Sequence, residues 1–206
     1  MVEVKIIDLS MPLNEKTPTY PVDPQIEIQQ IAVIEKQGWS EKRLHLNTHC
    51  GTHIDAPAHM IRNGKTLDEL PLQSFYGKGI LIDVRHKPIT KDIFKKQRIM
   101  PQSVVLFFTG QSEHMHTNYY QKAKFIPQEV ARELVKINVK AVGIDSFSPD
   151  QKPYPIHKIL LTHNIIIIEN LVNLQQLKGK KFNLHYFPLS ISLGDGAPCR
   201  AVAFVN

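Results

Sequence analysis

One segment of eleven residues restricts the fold more than any other: His49-Cys50-Gly51-Thr52-His53-Ile54-Asp55-Ala56-Pro57-Ala58-His59. Its three histidines and one aspartate all fall on odd positions, interrupted by Gly51 and Pro57. On a straight strand the odd positions would share a face. His49 and His53 would then stand roughly 13 Å apart, at about 3.3 Å of rise per residue, so one ion could be shared only at full stretch. A helical turn brings residues four apart to about 6 Å. Pro57, however, argues against a long helix through Asp55 and Ala56. Gly51 is the residue that can bend the chain. The segment therefore predicts a strand that kinks at Gly51, with its polar residues on a short turn or loop. Imidazole and carboxylate are the groups that hold Zn²⁺ or Mn²⁺ without cysteine, so a divalent metal is expected there.

The rest of the composition excludes more than it assigns. With 206 residues, 42% of them hydrophobic and 21% charged, one globular domain over residues 1–206 is expected. The longest apolar run, Ile165 to Ile168, is closed by Glu169 and Asn170, which leaves no span for a membrane. The opening Met1-Val2-Glu3-Val4-Lys5-Ile6-Ile7-Asp8 lacks the layout of a signal peptide. Cys50 and Cys199 alone make no disulfide framework, and a cytoplasmic location is expected. The net charge of +6 is scattered, with small clusters only at Lys95-Lys96-Gln97-Arg98 and Lys178-Gly179-Lys180-Lys181. No aromatic-interleaved basic stripe accompanies them, so they read as solvated surface and not as a nucleic-acid interface. Basicity can still steer an anionic substrate.

Runs rich in Ile, Val and Phe predict strands at 4–9, 26–34, 43–48, 79–84, 103–109, 141–145 and 165–169, with two more near the C-terminus. Helices are expected at 127–137, where proline opens the first turn and Val130, Leu134 and Ile137 recur at helical spacing, and more briefly at 155–163 and 91–97. Strands outnumber helices and alternate with them only in the second half. This predicts a mixed α/β fold with a mixed sheet, not a repeated βαβ array.

A second group of candidate ligands lies downstream. Glu169 closes an almost wholly apolar strand, where an unpaired carboxylate would be costly to bury. A helix ending near Asn164, followed by a strand through Ile165–Ile168, would return Glu169 to the neighbourhood of His157. A metal, a salt bridge or a water-exposed strand end could satisfy that carboxylate. His45 shares the parity of the motif and reads as a plain strand residue. His86, His114, His116, His163 and His185 read as surface, and Cys50 and Cys199 as packed small residues.

The segment from His49 to His59 matches HxGTHxDxPxH and resembles the signature of the cyclase family of metal-dependent hydrolases, which includes bacterial kynurenine formamidase and isatin hydrolase. The likeness continues through Asp8-Leu9-Ser10-Met11-Pro12, Thr17-Pro18-Thr19-Tyr20-Pro21-Val22-Asp23-Pro24 and Gly143-Ile144-Asp145-Ser146-Phe147-Ser148-Pro149-Asp150. It extends to His157 with Glu169-Asn170-Leu171, and to Gly194-Asp195-Gly196-Ala197-Pro198-Cys199-Arg200-Ala201. The resemblance implies a swivelling β/β/α fold, a homodimer or higher homo-oligomer, and one or two divalent ions per chain. It implies one ion on His49, His53 and Asp55 and another on Asp55, His157 and Glu169, with Asp55 bridging. His59 would transfer the proton. Tyr20 would touch substrate where kynurenine formamidases carry tryptophan, and Val22 replaces a glycine common in that opening.

The chemistry implied is cleavage of a small amide or aryl formamide, N-formylkynurenine-like, by metal-activated water. A histidine titrating near neutrality suits proton delivery to the leaving nitrogen; alternatively His59 is itself a ligand. Three other readings stay open: an isatin-type lactam hydrolase, a structural metal site, and a non-catalytic metal-binding member of the fold.

Overall fold

The computed structural model describes residues 4–117 and 123–205. Residues 1–3, 118–122 and 206 lie outside them. Ten strands are present among the described residues: β1 (Lys5–Asp8), β2 (Glu27–Ala32), β3 (Glu41–His45), β4 (His53–Asp55), β5 (Tyr76–Asp83), β6 (Val104–Phe108), β7 (Ala141–Ile144), β8 (Ile166–Glu169), β9 (Phe182–Pro188) and β10 (Gly196–Val205). The helices are α1 (Ile34–Gln37), α2 (Ile93–Lys96), α3 (Gln128–Ile137) and α4 (Pro155–Thr162).

Eight strands form one sheet in the order β1-β10-β4-β8-β7-β6-β5-β9, and β9 pairs back onto β10, closing the sheet into a barrel. Strands β5 to β8 run parallel, and β4, β9 and β10 pair antiparallel. This is the mixed α/β architecture the sequence predicts. The central strands read as unbroken apolar runs because both of their faces are covered. Val104, Leu106 and Phe108 of β6 join Ile166 and Ile168 of β8 in one core, with Ile54 and Tyr186. Val105, Phe107 and Ile167 point the other way, against Val130 and Leu134 of α3 and Leu160 of α4.

Two predicted elements move. The strand expected over 43–48 begins earlier, at Glu41, and among the described residues pairs only with β2, in an exposed two-stranded hairpin. The motif keeps its bend, with Gly51 at φ +56°, but His53 and Asp55 sit on β4 and not on the expected turn or loop. Three residues are too few to show the alternation by which a strand is read from sequence. Here they are held on both sides, by β10 and by β8.

Candidate metal centre

Gly51 to Thr52 is the hinge on which the site turns. A side chain at 51 would run into Leu13, and the positive φ favours glycine besides. Thr52 Oγ1 accepts the amide of Met11 (2.7 Å) and donates to the carbonyl of Asn170 (2.6 Å). Asn170 Nδ2 donates to the carbonyl of Gly51 (2.8 Å), which also accepts His53 Nδ1 (2.9 Å). That second bond puts the proton of His53 on Nδ1 and turns Nε2 toward the carboxylates.

Strand register brings those carboxylates in. His53 lies directly opposite Glu169, and Asp55 opposite Ile167. His53 and Asp55 project on the face opposite Ile54, with Glu169 at the carboxyl end of parallel strand β8, where α/β sheets characteristically gather their functional groups. His53 Nε2 is 3.2 Å from Glu169 and 3.4 Å from Asp55. Helix α4 supplies His157, whose Nε2 is 3.4 Å from Glu169 and 3.5 Å from Asp55. Its Nδ1 donates to Asp150 (2.6 Å), and the other oxygen of Asp150 accepts the amides of Ile156 and His157 in the first turn of α4.

His49 and His59 are arranged differently. The His49 ring lies edge-on to His53 at 5.1 Å and packs against His59 at 3.9 Å, tilted by 37°. Its Nδ1 meets Asp55 (2.7 Å) and its Nε2 meets Asp195 (2.9 Å), and the same Asp195 oxygen is 3.7 Å from His59 Nδ1. Gly196 permits this approach of β10, because a side chain there would strike the His49 ring and the carbonyl of Ile54.

Charge follows the geometry. Burial pulls both rings down, but the bonds of His49 to Asp195 and Asp55 hold it at about 9, and Asp55 with Glu169 holds His53 at about 10. His157 is raised against its burial by Asp150, Asp55 and Glu169. Asp55 is buried, yet the three rings around it keep its pKa well below the ordinary carboxylate range. His59 is the exception: burial lowers it, and the neighbouring His49 and His157 add to that against Asp55 and Glu169. Its lowered proton affinity favours the uncharged imidazole. Burial raises Cys50 to about 11, so its thiol stays protonated and packed.

Three buried atoms here have no hydrogen-bond partner among the described residues: His53 Nε2, Asp55 Oδ2 and Glu169 Oε1. Such atoms are costly unless something meets them, and the three residues bring ligand atoms within 4.8 Å of one another, with the His157 ring beside them. The donor set fits a divalent cation. Ligand atoms within 4.8 Å of one another fall into two triples sharing Asp55: His49-Asp55-His59 and His53-Asp55-Glu169. Above them opens a cavity of about 350 Å³, walled by Tyr20, Met60, Phe147 and Tyr154.

All six motif and downstream residues singled out from sequence therefore converge, and Tyr20 faces the same cavity. Asp150 and Asp195 were not singled out as site residues. Each stood inside a segment quoted above for its resemblance, which was the available signal. His45 is exposed, 3.9 Å from Glu27 in the hairpin, and His163 bonds the carbonyl of Ile159, so neither joins the site.

A closed mixed barrel carries a histidine–carboxylate cluster, of a chemistry suited to a divalent cation, beneath an aromatic-walled cavity. The chain belongs to the family described as putative cyclase, whose model matches residues 7–151. Among curated proteins it is 32% identical over 206 residues to a kynurenine formamidase of Bacillus anthracis, covering 96% of each chain. Among solved structures it is similar to isatin hydrolase A from Labrenzia aggregata bound to benzyl benzoate, with TM-score 0.89, 26% identity, and coverage of 98% and 94%. It is also similar to a predicted metal-dependent hydrolase from Bacillus stearothermophilus, with TM-score 0.81, 31% identity, and coverage of 98% and 99%.

Proposed function

We propose that this protein is a metal-dependent hydrolase that cleaves a small amide or aryl formamide, acting as one domain over residues 1–206. The observation that carries the reading is the set of three buried atoms without a hydrogen bond on His53, Asp55 and Glu169, residues whose ligand atoms lie within 4.8 Å of one another and two of which, His53 and Glu169, line an open cavity. His49, His53, Asp55, His157 and Glu169 would hold the metal, Zn²⁺ or Mn²⁺, as one or two ions sharing Asp55. When bound, a divalent ion supplies Lewis acidity, acidifying water and polarising a carbonyl oxygen.

The chain's own groups do the rest. An amide nitrogen leaves only when protonated, because its anion is too basic to depart. His59, its proton affinity lowered by burial, can take a proton and return it to that nitrogen. Asp150 holds His157 with Nε2 toward the carboxylates, and the carbonyl of Gly51 does the same for His53. Tyr20 and Phe147, with ring centroids 6.1 Å apart, offer an apolar wall to an aryl group.

An open cavity over the cluster favours turnover over a purely structural ion, since structural sites are closed. A lactam such as isatin is the second reading, supported by the likeness to isatin hydrolase A. We assign the protein to the cytoplasm because both cysteines are free. A homodimer or higher homo-oligomer is supported by the β2–β3 hairpin, which exposes Trp39 and Leu44 and pairs with no other strand among the described residues, since two strands alone are marginal in water. No helix among the described residues is long and apolar enough to cross a membrane.

The test is a rate panel on protein stripped of metal and reloaded with Zn²⁺ or Mn²⁺, using N-formylkynurenine, isatin and simple esters. Metal-dependent cleavage of an amide or lactam is expected. Full activity after complete metal removal would overturn the reading.

A further inference from the structure

The two basic clusters of the sequence, at 95–98 and 178–181, are far apart in the chain, yet residues of both line one cavity of about 760 Å³. It shares no lining residue with the cavity over the histidine–carboxylate cluster.

The opening follows from how the barrel closes. Strand β5 pairs with β9 only from Tyr76 to Gly79, where the Phe182 ring lies so close to Gly79 that any side chain there would strike it. Strand β5 runs on to Asp83, so beyond Gly79 that edge has no strand partner among the described residues. Both clusters are fastened at this gap. Gln97 Nε2 donates to the carbonyl of Leu81 (3.2 Å), and Lys178 Nζ reaches Asp83 (3.5 Å). Lys178 (φ −58°, ψ 127°) and Gly179 (φ 70°) form the corner of a type II turn, closed by the Lys180 amide on the carbonyl of Leu177 (3.1 Å). Such a turn needs a positive φ at its third residue, which glycine supplies. It gathers Lys178, Lys180 and Lys181 on one short loop.

The charges there are unbalanced. Lys78, Lys87, Arg98, Lys178, Lys180 and Lys181 line the cavity against one acid, Asp83. Asp83 is already held by two nitrogens of Arg85, at 3.1 and 2.9 Å, as well as by Lys178. Among the described residues, Lys178 is the only one of those six cations in an ion pair. Like charges around a concavity repel one another and attract an anion. Ile80, Leu81, Met100, Leu177 and Phe182 give the same cavity an apolar lining. Apolar walls with a few convergent polar groups suit an organic ligand. All but Arg98 are lysines, the point charges that phosphate sites commonly use, whereas the planar fork of arginine is what matches a carboxylate.

We propose that this cavity binds a small molecule carrying two or more phosphates on an apolar or aromatic body, such as a nucleoside polyphosphate. The site is separate from the hydrolase reading, since no group of the metal cluster takes part.

Calorimetry at low ionic strength tests it, with ATP, tripolyphosphate, AMP and benzene-1,3,5-tricarboxylate titrated into the purified full chain. ATP should bind most tightly. Tripolyphosphate lacks the body, AMP lacks the charge, and the tricarboxylate lacks phosphate. Lys180→Gln with Lys181→Gln should weaken ATP binding about tenfold, as for the loss of two exposed ion pairs. Arg98→Gln, from the other cluster, should weaken it about threefold. Arg132→Gln with Lys136→Gln removes the same charge from the exposed face of α3 and should leave the affinity within about twofold of wild type. ATP can also draw metal from the histidine cluster, but that heat is common to every variant, so differences between variants report the cavity. No binding of ATP by wild type overturns the proposal. So do wild-type affinity in both cavity variants, an equal loss in the α3 variant, or a tricarboxylate that binds as tightly as ATP.

Discussion

His53 and His157 differ from His49 and His59 in what their second nitrogens do. In the first pair Nδ1 is committed, to the carbonyl of Gly51 or to Asp150, and Nε2 faces the Asp55–Glu169 carboxylates. In the second pair His49 spends both nitrogens on carboxylates, and His59 packs against it with its own proton affinity lowered. One pair is set to receive a cation without moving. In the other, His49 must release a carboxylate contact before it can coordinate. The difference teaches that ligands adjacent in sequence need not be equally preorganised: the hydrogen bond behind the ring decides.

The largest expected effect breaks the first pair. His53→Ala with Asp55→Ala removes one ring and the shared carboxylate, and elemental analysis after titration should find no metal uptake, with circular dichroism confirming the fold. Uptake like that of wild type would end the idea that this pair is the receiving one.

Next comes the second pair. His59→Ala should lower amide turnover by roughly 10² to 10⁴ while keeping the metal. Activated esters should lose less, because their leaving oxygen needs little protonation. Lost metal and equal losses on both substrates would instead make His59 a ligand, the grouping in which it lies with His49 and Asp55.

A smaller effect sharpens the contrast. Asp150→Asn leaves every candidate ligand in place but weakens the bond behind His157, and metal affinity should fall by about 10- to 100-fold in competition with a chelator. Affinity within twofold of wild type would show that the ring needs no such support.

The smallest effect is a proton count. His49 at about 9 and His53 at about 10 are protonated at neutral pH in the metal-free protein, and each must lose a proton to coordinate. Metal uptake should therefore release protons, and affinity should rise as pH increases toward those values. Calorimetry in two buffers of different ionisation enthalpy measures the release. No release at pH 7 would mean the rings are already neutral.

Much of this was legible in sequence. The apolar strands of the barrel announced themselves because both faces are buried, and α3 did so through Val130 and Leu134 at helical spacing. The candidate ligands were legible because imidazole and carboxylate have few reasons to crowd around a glycine. Strand β4 was not, since its stability comes from β8 and β10, far along the chain. The roles of Asp150 and Asp195 depend on which ring each reaches, a tertiary fact that spacing does not encode.

The pairing of β4 with β8 also bears on how the chain finds its fold. A shift of one residue would swing His53 and Asp55 onto the face of Ile54, scattering the donors and pressing charge into the apolar core. A cation captured late in folding would stabilise only molecules whose strands had aligned correctly. The three-residue strand would then act as a checkpoint, with metal supply in the cell governing how many newly made chains pass it.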